Sequence, residues 1–249
     1  MVYVIFLCIA LPLGLMLPIL ERRSRRLVFF LLLGMTTALV AYEVDTILYS
    51  LCGLDTVRFT QTVPPIVEEI LKALPVLVFA LFFSNDRKVI LPVAMSVGIG
   101  FSILENTTIL VQNLASVTLG WAALRGLSAS LMHGLCTMVV GAGLPYVKRQ
   151  KKLFWTGIFG LWSIAVTMHA IFNLLIQSKY SWLGACLPMA LGGLLSAIAQ
   201  GRVAAASINI LAKKPSDWSK GLVLCGIVEF YAILSLLASM LMLNFLFLA

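Results

Sequence analysis

Charge is what this sequence has least of. Only 11% of its 249 residues are Asp, Glu, Lys or Arg, where a soluble globular chain carries about a quarter. Hydrophobic residues make up 61%, with a mean hydropathy of +1.04. That balance excludes a water-soluble domain. Histidine occurs twice, at 133 and 169. The five cysteines, Cys8, Cys52, Cys136, Cys186 and Cys225, form no CxxC pair, and their odd number within apolar runs reads as isolated thiols. No sustained repeat, low-complexity tract or long linker is present, and the longest polar stretch is "AKKPSDWSK" at 212–220. The first apolar run has no basic residues ahead of it and no small-residue cleavage site, and it ends in "ERRSRR". It is therefore expected to stay in the protein rather than to be a cleaved signal peptide.

What remains is apolar sequence in lengths suited to a bilayer. A spanning helix needs about 20 apolar residues, and such runs fall at 1–20, 27–49, 64–84, 89–111, 119–146, 153–177, 182–200 and 221–247. The expected fold is all-α: a polytopic helical membrane protein of about eight transmembrane helices, with 1–249 as one domain. "VAAASINIL" at 203–211 reads as a short helix along the membrane surface. Successive connections alternate sides, so each basic residue outside the runs, all but Lys72 and Arg125, can be assigned. One side receives Arg22, Arg23, Arg25, Arg26, Arg87, Lys88, Lys148, Arg149, Lys151, Lys152, Arg202, Lys213, Lys214 and Lys220; the other receives Arg58 and Lys179. Fourteen against two is a strong positive-inside bias, which predicts that both termini are extracytoplasmic. The net charge of +8 thus reports topology and contact with anionic lipid, not nucleic acid.

Ionisable side chains within the runs are few, and each needs a partner, a wet cavity or a task. Glu68 and Glu69 open the third run with Lys72 one turn on, angularly between them. Two adjacent carboxylates cannot both be comfortably charged at low dielectric, which suits one of them to act as a general base. A self-paired cluster at a helix start is the plainer reading. Glu105, in "FSILEN", has no nearby Lys or Arg in sequence. His133 and Thr137 share a face of the fifth run, and His169 and Asn173 a face of the sixth, each pair four apart. Gly126, Ser130 and Gly134 form a small-residue face for close helix packing. With the alternation above, Glu68 and Glu69 fall about 6–8 Å below the outer boundary, and Glu105 and His169 about 9–12 Å below it. His133 lies nearer mid-span. Glu43, Asp45 and Glu229 either line the same cavity or finish helix ends, and Arg125 reads as structural, snorkelling to water.

Four stretches, "EEILK", "FSILE", "HGLCT" and "HAIFN", occur in order on four successive runs. They resemble the EExxK, FxxxE, HxxxT and HxxxN motifs of PrsW-type intramembrane proteases, relatives of the CAAX-processing and bacteriocin-processing enzymes. The resemblance covers roughly 64–177, taken as a four-helix catalytic core. It implies catalytic roles for Glu68, Glu69, Glu105, His133 and His169, with Asn173 in support. It also implies cleavage of single-pass membrane proteins, such as anti-sigma factors, on the extracytoplasmic side (site-1 cleavage), in a bacterial cytoplasmic membrane. Glu105 stands where the CAAX-processing branch would have His, which favours the PrsW branch.

Peptide hydrolysis needs an activated water, a stabilised oxyanion and a proton for the leaving amine. In the preferred, metal-free (glutamic) version, one carboxylate of Glu68/Glu69 deprotonates water while Lys72 holds its neighbour ionised. His169 and Asn173 face the oxyanion, and Glu105 or His133 orients water or protonates the leaving group. In the alternative, Glu105, His133 and His169 bind zinc and Glu69 is the base. No HExxH occurs, so such ligands must come from separate helices. The rival classes are a proton-coupled transporter, against which stands the lack of matched Gly/Pro-broken spans, and a non-catalytic membrane scaffold.

Overall fold

The computed structural model describes residues 1–177 and 181–248, and Lys179 lies outside the described residues. Eight α-helices account for nearly all of it: α1 (Val2–Met16), α2 (Arg22–Cys52), α3 (Thr56–Phe82), α4 (Arg87–Gln112), α5 (Leu119–Arg149), α6 (Phe154–Gln177), α7 (Ser181–Lys213) and α8 (Trp218–Leu248). No strand occurs among the described residues. Six helices, α2 and α4–α8, contain stretches long and apolar enough to cross a membrane. At 15 residues α1 is short for that task, and α3 has the length but carries Glu68, Glu69 and Lys72 in its middle. The protein is a polytopic helical membrane protein, as its apolar runs require.

Two boundaries differ from the sequence reading. α3 begins at Thr56, eight residues earlier than expected, because the Asp55 carboxylate caps it by accepting from the Arg58 N–H at 3.0 Å. Pro64 and Pro65 therefore lie inside the helix instead of opening it. The separate surface helix at 203–211 does not exist; those residues continue α7 without a break. Nothing between Gly201 and Lys213 interrupts an alanine-rich helix, and Pro215 follows its end.

Where one domain was expected over 1–249, the chain packs as two compact units, Met1–Leu174 and Leu175–Ala249. In the first, α4 is central, and two glycines two residues apart let it be so. A methyl group on Gly98 would overlap the His133 carbonyl of α5, and one on Gly100 would overlap the Leu31 carbonyl of α2. Of the small-residue face expected on α5, Gly134 does meet Met95 and Ser130 Oγ bonds Ser102 Oγ at 2.9 Å, while Gly126 faces open space. Val76, Val93, Val97, Cys136, Val140 and Ala165 bring α3–α6 together in one apolar cluster. Met35, Ala38, Ala41, Phe101 and Leu104 join α2 to α4 in another. The Lys148 ammonium caps the far end of α3 by donating to the Ala80 and Leu81 carbonyls at 3.0 and 2.9 Å.

The second unit contains the hairpin of α7 and α8. Gly192 lies against Ser235 and Gly221 against Ser207, so the backbones approach where side chains are smallest. Ser196 Oγ donates to the Val228 carbonyl at 2.6 Å. Nearby, Gln200 Nε2 reaches Glu229 Oε2 at 3.5 Å.

Candidate active site

Four helices of the first unit each deliver ionisable groups to one place. The spacing on α3 puts Lys72 Nζ 2.6 Å from Glu69 Oε1 and 3.7 Å from Glu68 Oε2. Lys72 Nζ also lies 2.7 Å from His133 Nδ1 on α5, and 4.4 Å from the centre of the Phe101 ring. His133 Nε2 is 2.8 Å from Glu105 Oε2 on α4, and Glu105 Oε1 accepts from Arg125 Nη2 at 3.2 Å. At the other end His169 Nδ1 on α6 is 2.9 Å from Glu69 Oε1. The result is one continuous chain: Arg125, Glu105, His133, Lys72, Glu69, His169. The two imidazoles pack edge to face with centroids 5.0 Å apart.

Burial sets the character of this chain. Lys72 is wholly buried, Glu69 and His133 are 1% exposed, and His169 is 3% exposed. Side-chain exposure rises to 29% for Glu105 and 25% for Arg125, so the site opens at that end, beside the α4–α5 connection. Groups so deeply buried persist only when mutually paired. The pairing is incomplete by one charge. Glu68, Glu69 and Glu105 face Lys72 and Arg125, leaving one negative charge over when both imidazoles are neutral. Two buried carboxylate oxygens, Glu68 Oε2 and Glu69 Oε2, have no hydrogen-bond partner.

Glu68 Oε2, ion-paired with Lys72 at 3.7 Å but without a hydrogen bond, sits between the histidines, 3.9 Å from His133 Nδ1 and 3.8 Å from His169 Nε2. Glu68, His133 and His169 each offer one ligand atom, all within 4.8 Å of one another. The zinc set expected from sequence had Glu105 in the place of Glu68. Here Glu105 instead holds the other nitrogen of His133, as Glu69 holds the other nitrogen of His169.

His133, which fitted the depth estimate least well, lies at the centre of the chain of contacts. Among the described residues, Asn173 forms its hydrogen bond away from the carboxylates. Pro64 has no N–H to place on the Thr60 carbonyl, and Asn173 Nδ2 donates to that carbonyl at 3.2 Å, pinning α6 to α3 one turn from His169. Arg125, read as a snorkelling residue, is an ion-pair partner of Glu105. Its signal in the sequence was faint, a lone arginine in an apolar run. Glu43 is engaged outside the site by the Tyr3 hydroxyl. Asp45 keeps one buried carboxylate oxygen without a hydrogen-bond partner.

The constellation is assembled from four separate helices, and comparison with known proteins gives the family. The chain belongs to the PrsW family: the description "PrsW family intramembrane metalloprotease" matches residues 22–200. The second unit is similar to something different. The family of ATP synthase C-subunits matches residues 183–242. V-type sodium ATPase subunit K of Enterococcus hirae is 43% identical over 90 residues, which cover 34% of this chain and 58% of that relative's length. No solved structure matches the chain. The sequence reading attached no family to the spans flanking 64–177.

Proposed function

We propose that the protein is a metal-dependent intramembrane endopeptidase that cuts a single-pass membrane protein close to the extracytoplasmic surface. The observation that carries the reading is the convergence of Glu68 Oε2, which has no hydrogen bond, with one nitrogen of each histidine. One carboxylate and two imidazoles form a catalytic zinc donor set that leaves a position open for water. The fit extends outward, because each histidine's other nitrogen rests on a carboxylate, the arrangement that orients metal-bound imidazoles. The surplus negative charge at the site also favours a cation. Lys72 shares His133 Nδ1 with that position and would keep its shorter contact to Glu69 on yielding it. These features favour the metal-bearing version over the metal-free one preferred from sequence.

Zinc held by Glu68, His133 and His169 would supply Lewis acidity and a water acidic enough to ionise near neutral pH. The rest is done by the chain. Glu69 is fixed through Oε1 by Lys72 and His169, and its second oxygen is the acceptor for the water proton. Lys72, deprived of solvent, balances Glu69 and offers a proton toward the leaving amine. Glu105 keeps His133 in one orientation. Substrate enters from the more exposed Glu105–Arg125 end, and an anti-sigma factor is one substrate of the required single-pass kind.

The test has two parts. Membranes from cells carrying the intact chain and the Glu69→Gln chain are compared by mass spectrometry for ectodomain fragments with new ends near the outer surface. Fragments confined to the intact chain support the protease; identical fragment sets with equal expression remove it. Metal analysis of the purified chain then decides the type. Stoichiometric zinc lost in Glu68→Gln and His133→Gln supports the metal site, whereas cleavage by metal-free protein returns the mechanism to the glutamic version.

The hairpin favours a second reading for its own unit. Glu229 lies mid-helix with Gln200 facing it across the hairpin, and an acidic group at membrane depth is expensive unless it has a partner or a cargo. The similar relative belongs to a sodium ATPase, and we read the Gln200–Glu229 pair as a sodium-binding position. Sodium protecting Glu229 from carbodiimide labelling supports it; equal labelling with and without sodium ends it.

A further inference from the structure

We propose that Arg125 is a positioning residue for hydrolysis, holding Glu105 so that Glu105 in turn holds His133. The proposal rests on the protease reading above and extends it to a residue outside the four motifs. Arg125 is two turns ahead of His133 on α5, while Glu105 comes from α4. The arginine thus closes a triangle whose third side, Glu105 Oε2 to His133 Nε2, is 2.8 Å. Glu105 is the most exposed carboxylate of the site, at 29%. Without a cation beside it, it would gain solvation by turning outward, and the bond to Nε2 would go with it. The Arg125 contact at 3.2 Å competes with that escape. Trp121, one turn earlier, lies 5.9 Å from the guanidinium carbon and keeps the side chain from leaving as well. Arg125 Nε is buried without a hydrogen-bond partner while a quarter of the side chain stays exposed, so the guanidinium lies against the protein on one side at the open end of the site.

Because the chain has two histidines, the consequence can be read directly. The purified full-length protein, labelled with nitrogen-15 in histidine and reconstituted in lipid nanodiscs, gives ring signals from two residues, assigned with His169→Gln. In Arg125→Met, and in Arg125→Gln run beside it as the variant that keeps more of the packing, the His133 Nε2 signal is expected to move. His169 should stay in place, and Arg125→Lys should bring His133 back toward its original position. Zinc titration of the same samples should show affinity about tenfold lower for Met and Gln, and close to normal for Lys, the scale seen when groups orienting a metal-bound histidine are removed. Unchanged His133 signals in both neutral variants overturn the proposal. So do signals from both histidines moving together without rescue by lysine, which is general loosening of the fold. If the intact chain binds no zinc, the metal reading fails while the His133 signal still judges Arg125.

Discussion

At the scale of single residues, Lys72 is the group the site can least afford to lose. It is wholly buried and touches Glu68, Glu69 and His133. Replacing it with methionine removes one of two compensating cations and leaves Glu69 charged in a dry environment, a change that typically costs about 3–5 kcal/mol. Lys72→Met is therefore expected to lower the unfolding midpoint in detergent markedly and to abolish cleavage. Lys72→Met combined with Glu69→Gln restores the original surplus of one negative charge, so the double variant should regain much of the stability and none of the activity. A double variant no more stable than Lys72→Met would show that the cost lies in packing. Asn173 makes a finer prediction. If it serves α3 at the proline step, Asn173→Ala costs about 1 kcal/mol, and Pro64→Ala, by returning an N–H to the Thr60 carbonyl, recovers part of that loss. Equal losses with and without Pro64→Ala would argue that Asn173 acts elsewhere, at the oxyanion.

At the scale of helices, the paired motifs were legible because their spacings are helical. Glu68, Glu69 and Lys72 must share a face, as must His133 with Thr137 and His169 with Asn173, whatever the tertiary fold. What periodicity could not give was the order of contacts between helices, so Glu68 and Glu105 exchanged places relative to the histidines. Nor could it give Gly98 and Gly100, whose role depends on which neighbour each one meets. The two residues of "GIG" point to opposite sides of α4 and let α5 and α2 approach its backbone. Gly98→Ala drives a methyl into the His133 carbonyl and is expected to cost at least about 1–3 kcal/mol, with cleavage falling in step because His133 moves. Gly126→Ala, on the open face of α5, is the control: helix propensity alone should leave it neutral or more stable by up to about 1 kcal/mol. A Gly98→Ala protein as stable as the Gly126→Ala protein would mean that α4 and α5 are not in such close contact. The misplaced start of α3 has a similar origin, since Pro64 and Pro65 look like a beginning only until Asp55 is seen capping the helix earlier.

For the whole molecule, composition alone announced a membrane protein. It could not divide the chain after Leu174, because the α7–α8 hairpin is as apolar as the helices before it, and its Glu229 resembles any costly polar residue until its partner Gln200 is known. The charge distribution carries the remaining large-scale claim, the direction in which the site faces. Lys151 and Lys152 lie in the α5–α6 connection and Arg149 borders it, while the α4–α5 connection, residues 113–118, has no charge at all. The positive-inside rule predicts that the first is cytoplasmic and the second extracytoplasmic. The Glu105–Arg125 end of the site adjoins the second, so orientation and function are one question. With the native cysteines replaced by serine, Ser116→Cys is expected to react with a membrane-impermeant maleimide on intact cells. Gln150→Cys should react only after the membrane is opened. The reverse pattern would turn the open end of the site toward the cytoplasm and remove extracytoplasmic cleavage, leaving the hydrolytic centre in place to act on the cytoplasmic ends of its substrates.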